Sequence, residues 1–269
     1  MRDGTLQLLR ALAARTGVGD HLRRAYNALA YAGATSTVRL RNIQRTFRTP
    51  TGTIREHVES FAGEEAVLDE LLAALRPGDC FWDTGASFGL FSLFAAGAML
   101  PRGDVHAFEP EARMRRLLKK NVSLNSAADV TIHSCALGER NGATSLYRSA
   151  TPNIGTSALA QREDYRLDVR GVTIPIRRGD DIVAEGSARQ PTALKIDVEG
   201  AEGRVLAGLE KTLRDPALRF LACEVHPRLL PAHGDSAGSV EEMITRAGLA
   251  IYRTIPRGTE YHILCRRDP

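Results

Sequence analysis

The chain is poor in the features that mark disulfide-bonded scaffolds and membrane spans. It has only four cysteines in 269 residues, and they lie far apart without a C-x-x-C pair. This usage predicts reduced core thiols rather than a disulfide framework. The longest apolar run, residues 89–101, is too short to cross a bilayer. The composition, 43% hydrophobic and 25% charged, predicts a globular protein with a sizeable core.

A strong excess of either charge is also missing. The formal net charge is +4, and residues 1–60 hold 10 Arg and Lys against 4 Asp and Glu, so the remainder is slightly acidic. A slightly acidic domain argues against a nucleic-acid groove, and we expect no nucleic-acid partner. Charged residues interrupt the N-terminal stretch where the apolar core of a secretory signal would lie. We therefore expect a cytoplasmic protein with no stable membrane insertion.

The spacing of apolar residues divides the chain into an N-terminal arm, residues 1–60, and an α/β domain, residues 61–269. The arm is predicted to hold two short amphipathic helices and an extended segment, and to pack on the domain or on a second subunit of a homo-oligomer. In the domain, strands and helices alternate on both sides of an insertion at residues 138–190, and one of the later helices is predicted for residues 201–213. The insertion is irregular, with short strand-like pieces at residues 144–147 and 172–176. This order predicts a mostly parallel, doubly wound sheet with a C-terminal antiparallel hairpin. The insertion is expected to shape a substrate pocket.

Residues 80–93, with the sequence CFWDTGASFGLFSL, combine a buried strand, an acid, two glycines and the start of a helix. In an open α/β sheet, the first strand-to-helix turn is where a nucleotide-like ligand binds. Gly85 and Gly89 allow the tight turn, but the pattern D-x-G-x-x-x-G differs from the dinucleotide fingerprint G-x-G-x-x-G. Asp83 would repel a phosphate, yet it suits a ligand that carries an ammonium group. The loop therefore favours S-adenosylmethionine over a pyrophosphate cofactor.

Glu109 follows the second predicted strand in the context HAFEP, 24 residues after Gly85. An acid at this place accepts hydrogen bonds from the hydroxyls of a ribose. The alternative is that Glu109 caps the helix that begins near Glu111, because carboxylates favour helix N-termini. We favour ribose binding. The expected cofactor-binding set also includes Ala86, Ser134 and Asp197.

Two later segments place acids and a histidine at strand ends. KIDVEGAE puts Asp197 and Glu199 after the fourth strand, and CEVHP puts Glu224 and His226 at the end of the next. Residues two apart on a strand share a face, so each pair can point into the crevice of the sheet. Two carboxylates and an imidazole there would form a proton acceptor for a hydroxyl, or an O/N metal site.

The catalytic candidates are Asp197, Glu199 and His226. We assign His226 as general base, because the unperturbed pKa of imidazole is about 6.5 and therefore close to working pH. A lone histidine at a strand end is more often structural, and that alternative stays open. A divalent metal stays as an alternative that we do not favour, because the spacing is not a ligand motif.

Taken together, these segments resemble the FkbM family of S-adenosylmethionine-dependent methyltransferases. The resemblance extends from about residue 63 to residue 226 and depends on FWDTGASFG, AFEP with KKNVSLN, NIGTSAL at residues 153–159, and KIDVEGAEGRVLAG with CEVHP. It implies a Rossmann-like class I methyltransferase fold and O-methylation, often of hydroxyls on sugars or natural products. A C-terminal hairpin is also typical of methyltransferases. The chain departs from the family at Ser87, where Asn is common, and at Thr84, where a hydrophobic residue is usual.

The leading hypothesis is thus a methyltransferase that acts on a hydroxyl of a small-molecule acceptor, a sugar or natural-product glycoside, with Asp197 near the methionine end of the cofactor. An NAD-binding oxidoreductase is the first alternative, disfavoured by the missing G-x-G-x-x-G and by the terminal hairpin. A non-catalytic nucleotide-binding module is the second. Such a module would not need the acids and the histidine that gather at the strand ends.

Overall fold

The computed structural model describes residues 30–125, 129–147 and 171–267. The helices predicted before residue 30 and the NIGTSAL segment lie outside these ranges. The described strands are β1 (Thr35–Leu40), β2 (Ile43–Arg48), β3 (Cys80–Thr84), β4 (Asp104–Phe108), β5 (Val130–His133), β6 (Ala136–Leu137), β7 (Gly142–Leu146), β8 (Val172–Arg177), β9 (Ala193–Ile196), β10 (Phe220–Val225), β11 (Leu249–Arg257) and β12 (Glu260–Arg267). The described α-helices are α1 (Gly52–Glu59), α2 (Glu65–Ala74), α3 (Leu90–Ala98), α4 (Ala112–Leu124), α5 (Gly179–Ala184), α6 (Glu202–Ala207), α7 (Glu210–Arg214) and α8 (Ala237–Arg246).

A seven-stranded sheet forms the centre of the molecule, in the order β11-β12-β10-β9-β3-β4-β5. Strands β3, β4, β5, β9 and β10 run parallel, whereas β12 pairs antiparallel with both β10 and β11. The Rossmann-like α/β sheet with a C-terminal antiparallel hairpin is therefore confirmed. Strand β3 lies between β4 and β9, which is where the strand order reverses. A ligand crevice is expected at the carboxyl ends of the strands on either side of this point.

Strand β3 is buried over its whole length because elements pack on both faces of the sheet. Alternate side chains point to opposite faces, so Phe81 and Trp82 join two different hydrophobic cores. The Phe81 core includes Leu71 of α2 and Phe94 of α3. The Trp82 core includes Leu206 of α6. The two cores hold the strand on which the glycine loop begins.

The described part of the N-terminal arm packs on the domain. Phe47 of the β1–β2 hairpin and Ile54 of α1 belong to the same core as the β3 side chain Phe81. Asn121 of α4 joins the hairpin to the glycine loop, because its Oδ1 accepts from the Arg48 N–H at 2.8 Å and its Nδ2 donates to the Phe88 carbonyl at 2.8 Å. The sequence pattern does not predict α1. The arm thus supports the loop after β3 from outside the sheet.

Two regions hold details that differ from the sequence prediction. In the insertion at 138–190, β7 and β8 confirm the strand-like pieces expected at 144–147 and 172–176. Helix α5 and the three-stranded sheet, in the order β6-β8-β7, were not predicted. The single helix predicted for residues 201–213 is divided into α6 and α7. At the break, Asp180 of α5 donates its N–H to the Gly208 carbonyl, and its carboxylate accepts from the N–H groups of Lys211 and Thr212.

None of the described helices is long and apolar enough to cross a membrane.

Candidate active site

Two cavities open at the carboxyl ends of the central strands, and they share Gly85, Ser87, Asp197 and Glu199. We call the first the apolar chamber, and its walls include Phe108, Glu109, Met114, Leu137 and Leu146. We call the second the charged chamber, and its walls include Glu64, Lys195, Glu224 and Arg257. The shared residues form the junction between a mostly nonpolar space and a space rich in ionised groups.

Gly85 allows the loop after β3 to pass directly against the end of β9. Its φ is +81°, and a Cβ atom would lie 1.9 Å from the carbonyl oxygen of Asp197, so a side chain does not fit. The N–H groups of Gly85 and Ala86 donate to the Phe108 carbonyl at 3.0 and 3.1 Å. Gly89, with φ +93°, precedes α3 and packs closely on Leu118. The glycines therefore serve first to bring the ends of β3, β4 and β9 together.

Ser87 lies where the two chambers meet. Its backbone is in the left-handed region, with φ of 50°, and its N–H donates to Glu109 Oε2 at 2.7 Å. The Ser87 hydroxyl is buried and has no hydrogen-bond partner in the part of the chain that the structure describes. A buried polar group without a partner costs free energy. The hydroxyl is thus suited to pair with a polar group of a bound ligand.

Glu109 is buried at the end of β4 and faces the apolar chamber. Its two carboxylate oxygens accept from the N–H groups of Ser87 and Glu111, each at 2.7 Å. Burial raises the pKa of Glu109 to about 7. The N-cap of α4 is Glu111, which accepts from the N–H groups of Arg113 and Met114, so Glu109 does not cap the helix itself but accepts from the N–H of its N-cap residue. Each oxygen of Glu109 keeps a second lone pair for a ligand hydroxyl.

Lys195 is a buried cation to which the sequence prediction assigned no role. Its Nζ lies 3.0 Å from Asp197 Oδ2 and 3.8 Å from Asp83 Oδ1. Burial alone would raise the pKa of Asp197, but Lys195, together with His226 and His262, holds that pKa below its ordinary value. Asp83 also accepts from the Ser92 hydroxyl at 2.6 Å, and burial raises its pKa. Lys195 therefore lies between two acids and joins the glycine loop to the junction.

The turn after β9 is fixed by a hydrogen bond to the fully buried carboxylate of Glu202. Glu202 Oε1 accepts from the Gly200 N–H at 2.8 Å and lies 2.8 Å from His226 Nδ1. Glu199 and Gly200 both have left-handed backbone conformations, with φ of 52° and 98°. His226 Nε2 lies 3.9 Å from Glu199 Oε2. The imidazole therefore lies between Glu202, which fixes the turn, and Glu199, which lines the junction.

His226 is charged at neutral pH, whereas the general-base role predicted from the sequence requires a neutral imidazole. Burial by itself lowers the pKa of His226, but the hydrogen bond and charge of Glu202, with Asp197 and Glu199 nearby, raise it to about 9. The imidazole is therefore protonated at neutral pH. The assumption of a pKa close to 6.5 is wrong, because it took no account of Glu202. The general-base role itself stays a prediction.

Glu224, at the end of β10, belongs to an ion cluster that no sequence motif indicates. Its Oε1 accepts from Arg257 Nη1 at 2.7 Å, and its Oε2 lies 3.7 Å from His262 Nε2. His262 also lies 2.9 Å from Glu64 Oε1, across 198 residues of sequence. Burial raises the pKa of Glu224 to about 7, and Asp197 acts in the same direction. The terminal hairpin thus supplies Arg257, which lines the charged chamber, and His262, which pairs with two acids that line it.

Within the described residues, two groups of side chains are close enough to approach a cation, with one atom from each member within 4.8 Å of the others. They are Asp197, Glu224 and His226, and Glu64, Glu224 and His262. In these groups Asp197 already faces Lys195, and Glu224 already faces Arg257. The charges of these two carboxylates are therefore balanced by protein side chains without a metal.

The predicted site residues fall into two sets. Those that line a chamber are Gly85, Ala86, Glu109, Asp197, Glu199 and Glu224. Those that are not among the lining residues of either chamber are Asp83, Gly89, Ser134 and His226. Of the second set, Asp83 and His226 contact lining residues through ion pairs, whereas Ser134 is exposed beyond the end of β5.

The apolar chamber and the junction fit the parts of S-adenosylmethionine. The walls of the apolar chamber suit a base ring, and Glu109 there suits ribose hydroxyls. The unpaired hydroxyl of Ser87 and the carboxylate of Asp197, both at the junction, suit the end of the cofactor that carries an ammonium group.

The chain is similar to known methyltransferases over most of its length. Residues 83–249 match the family model of the Methyltransferase FkbM domain. The chain is 28% identical over 261 residues to the 31-O-demethyl-FK506 methyltransferase FkbM of Streptomyces tacrolimicus, covering 85% of this chain and 93% of the relative. It is 24% identical over 212 residues to the hexuronic acid methyltransferase AglP of Haloferax volcanii, covering 78% and 80%. An FkbM methyltransferase structure from Methylobacillus flagellatus overlays with a TM-score of 0.48 and 19% identity, over 71% of this chain and 44% of that one.

The matched segment extends from the end of β3 to the start of β11 and therefore covers more than half of the chain. It contains the glycine loop, Glu109, the turn after β9 and the end of β10. The chain belongs to the FkbM family of S-adenosylmethionine-dependent methyltransferases.

Proposed function

We propose that this methyltransferase acts on a hydroxyl group of a small-molecule acceptor, a sugar or natural-product glycoside. The observation that carries the proposal is the junction at which the apolar chamber meets the charged chamber. A polyhydroxylated acceptor needs many hydrogen-bond partners, and carboxylates and a guanidinium line the charged chamber. Two relatives, a 31-O-demethyl-FK506 methyltransferase and a hexuronic acid methyltransferase, also favour an oxygen acceptor on a natural product or sugar.

The side chains of the site divide between holding the cofactor and orienting the acceptor. Glu109 and Ser87 would bind the cofactor from the apolar chamber and the junction. When bound, S-adenosylmethionine supplies an electrophilic methyl group on a sulfonium sulfur. Asp197 and Glu199 lie at the junction, where they can orient an acceptor hydroxyl, and His226 positions Glu199 from behind. Alignment of the reacting groups is expected to supply much of the rate acceleration.

Ligand stabilisation tests the cofactor half of this proposal. S-adenosylhomocysteine at about 100 times its Kd should stabilise the fold by about 2.7 kcal/mol, because it binds only the folded state. For a domain of this size the expected rise in Tm is several degrees. NAD at the same concentration is the control and should not shift the melt. A shift with NAD and none with S-adenosylhomocysteine would contradict the assignment of the chambers.

The acceptor half is tested with a panel of hydroxyl compounds. Formation of S-adenosylhomocysteine is followed with alkyl glycosides, aminoglycosides and macrolides, each compared with the O-methylated form as a control. The proposal requires that at least one free hydroxyl compound is turned over while its methylated form is not. Each reaction is repeated with a chelator, and we expect no change, because Lys195 and Arg257 already balance the carboxylates. Activity that is lost with chelator and restored by magnesium or manganese would contradict the metal-independent reaction.

A further inference from the structure

We propose that Glu224 takes the proton from the acceptor hydroxyl, and that His226 is a positioning residue. This inference rests on the proposed O-methylation and assigns the proton acceptor within the same site. Glu224 lies at the end of a central strand and lines the charged chamber together with the junction residues Asp197 and Glu199. It is therefore placed beside the point at which an acceptor would meet the cofactor chamber.

The side chains around Glu224 leave one of its oxygens for an acceptor. Arg257 of β11 donates to Oε1 at 2.7 Å, while the nearest ion-pair partner of Oε2 is His262 of β12, at 3.7 Å. The other titratable or charged groups that face it are Asp197 and Lys195 from the β9 side, Glu64 before α2, and His226 beyond its own strand. Glu224 is thus fixed at one oxygen and lacks a close hydrogen-bond donor at the other within the described residues.

The other acids of the site are poorer proton acceptors. Asp197 lies 3.0 Å from Lys195, which stabilises its charged form and makes it a weak base. Glu202 is fully buried behind the turn, where it is bonded to Gly200 and His226. Glu199 lies 3.9 Å from His226 Nε2, so its carboxylate already faces the ring. Burial raises the pKa of Glu224 to about 7, close to working pH.

His226 already carries the proton that a general base must be able to accept. Its Nδ1 is bonded to Glu202, and the pKa of about 9 keeps the ring positively charged at neutral pH. In the proposed step the acceptor oxygen forms a bond to the methyl carbon as the carbon–sulfur bond breaks. The electron pair of that bond goes to sulfur, and the hydroxyl proton goes to the carboxylate of Glu224, which becomes a neutral acid.

The pH dependence of the single-turnover rate separates Glu224 from His226. With cofactor and acceptor saturating, a Glu224 base predicts a rate that rises as pH passes through about 7, because the carboxylate must be ionised. A His226 base predicts a rise through about 9 instead. Glu224→Gln should lower the rate by about 10²- to 10⁴-fold and remove the rise near pH 7. Glu224→Asp should recover part of the rate, because it restores a carboxylate.

The matched control is Glu70→Gln. Glu70 also pairs with arginines of the terminal hairpin, Arg253 at 2.5 Å and Arg266 at 3.3 Å, but it lines neither chamber. The Glu70→Gln variant should react at the wild-type rate. That result would show that loss of an ion pair with the terminal hairpin does not by itself change the rate. A Glu224→Gln rate within about threefold of wild type would overturn the proposal. A rise near pH 9 that disappears in His226→Gln would also overturn it.

A measurement without an acceptor keeps this inference separate from the proposed function. Carbon-13 carboxyl spectra of glutamate-labelled enzyme should contain resonances that titrate near pH 7, from Glu224 and Glu109. Glu224→Gln should remove one of them and leave S-adenosylhomocysteine affinity within about threefold. If no acceptor in the panel is methylated, the proposed function fails. The titration still measures the pKa of Glu224 in that case. Absence of a Glu224 resonance near pH 7 overturns the inference.

Discussion

The two chambers are built in different ways. In the apolar chamber, Glu109 is fixed by backbone N–H groups of Ser87 and Glu111, which lie 22 and 2 residues away. In the charged chamber, Glu224 meets Arg257 across 33 residues, and Glu64 meets His262 across 198. The first depends on loops at the ends of adjacent strands, and the second on ion pairs between distant segments. Changes to the charged chamber should therefore affect stability and pH dependence more strongly.

Removal of Lys195, the cation that pairs with two acids beside the junction, should have the largest effect. Lys195→Met leaves the buried Asp83 and the half-buried Asp197 without their shared partner, and loss of one member of a buried ion cluster costs about 3–5 kcal/mol. The free energy of unfolding from urea titration measures this loss. Lys119→Met, at an exposed position on α4, is the control and should change it by less than about 0.5 kcal/mol. A loss below about 1 kcal/mol for Lys195→Met would mean that the two acids do not depend on the lysine.

The pH dependence of stability should show the charge state of His226. Because its pKa rises from 6.5 to about 9 on folding, the group contributes stability that is fully present below pH 6.5 and is lost as pH rises through about 9. A shift of this size corresponds to about 3 kcal/mol. The difference in free energy of unfolding between wild type and His226→Gln should therefore shrink by about this amount between pH 6 and pH 10. A difference that stays constant over this range would contradict the raised pKa.

The apolar chamber gives the smallest expected effect, and it should appear in binding. Glu109→Ala removes a carboxylate that is placed for two ribose hydroxyls, which should cost about 1.5–3 kcal/mol of S-adenosylhomocysteine affinity, or about 10- to 150-fold. Calorimetric titration measures the Kd, and thermal unfolding without ligand checks that the variant is folded. Unchanged affinity would limit the role of Glu109 to joining the glycine loop to the start of α4.

The sequence predicted those parts of the site that depend on local pattern. The loop at residues 80–93 and the acid at Glu109 follow buried strands, so their place at the carboxyl edge could be predicted from strand and helix alternation alone. The acids of KIDVEGAE and CEVHP were placed together by the same argument, and Asp197, Glu224 and His226 do approach one another. The family resemblance followed from these segments, because each combines a strand end with the residues that a ligand contacts.

Only the tertiary structure decided the charge states and the partners. Glu202 was part of a recognised segment, yet its contact with His226 depends on how the turn after β9 packs against the end of β10. Lys195, Arg257 and His262 each face acids that are contributed by other segments. The pKa of a buried group depends on which charges lie within a few ångströms, and that distance is unrelated to separation along the chain. The sequence therefore determined the fold, the cofactor loop and the family, whereas the packing of distant segments determined which acid is able to take a proton.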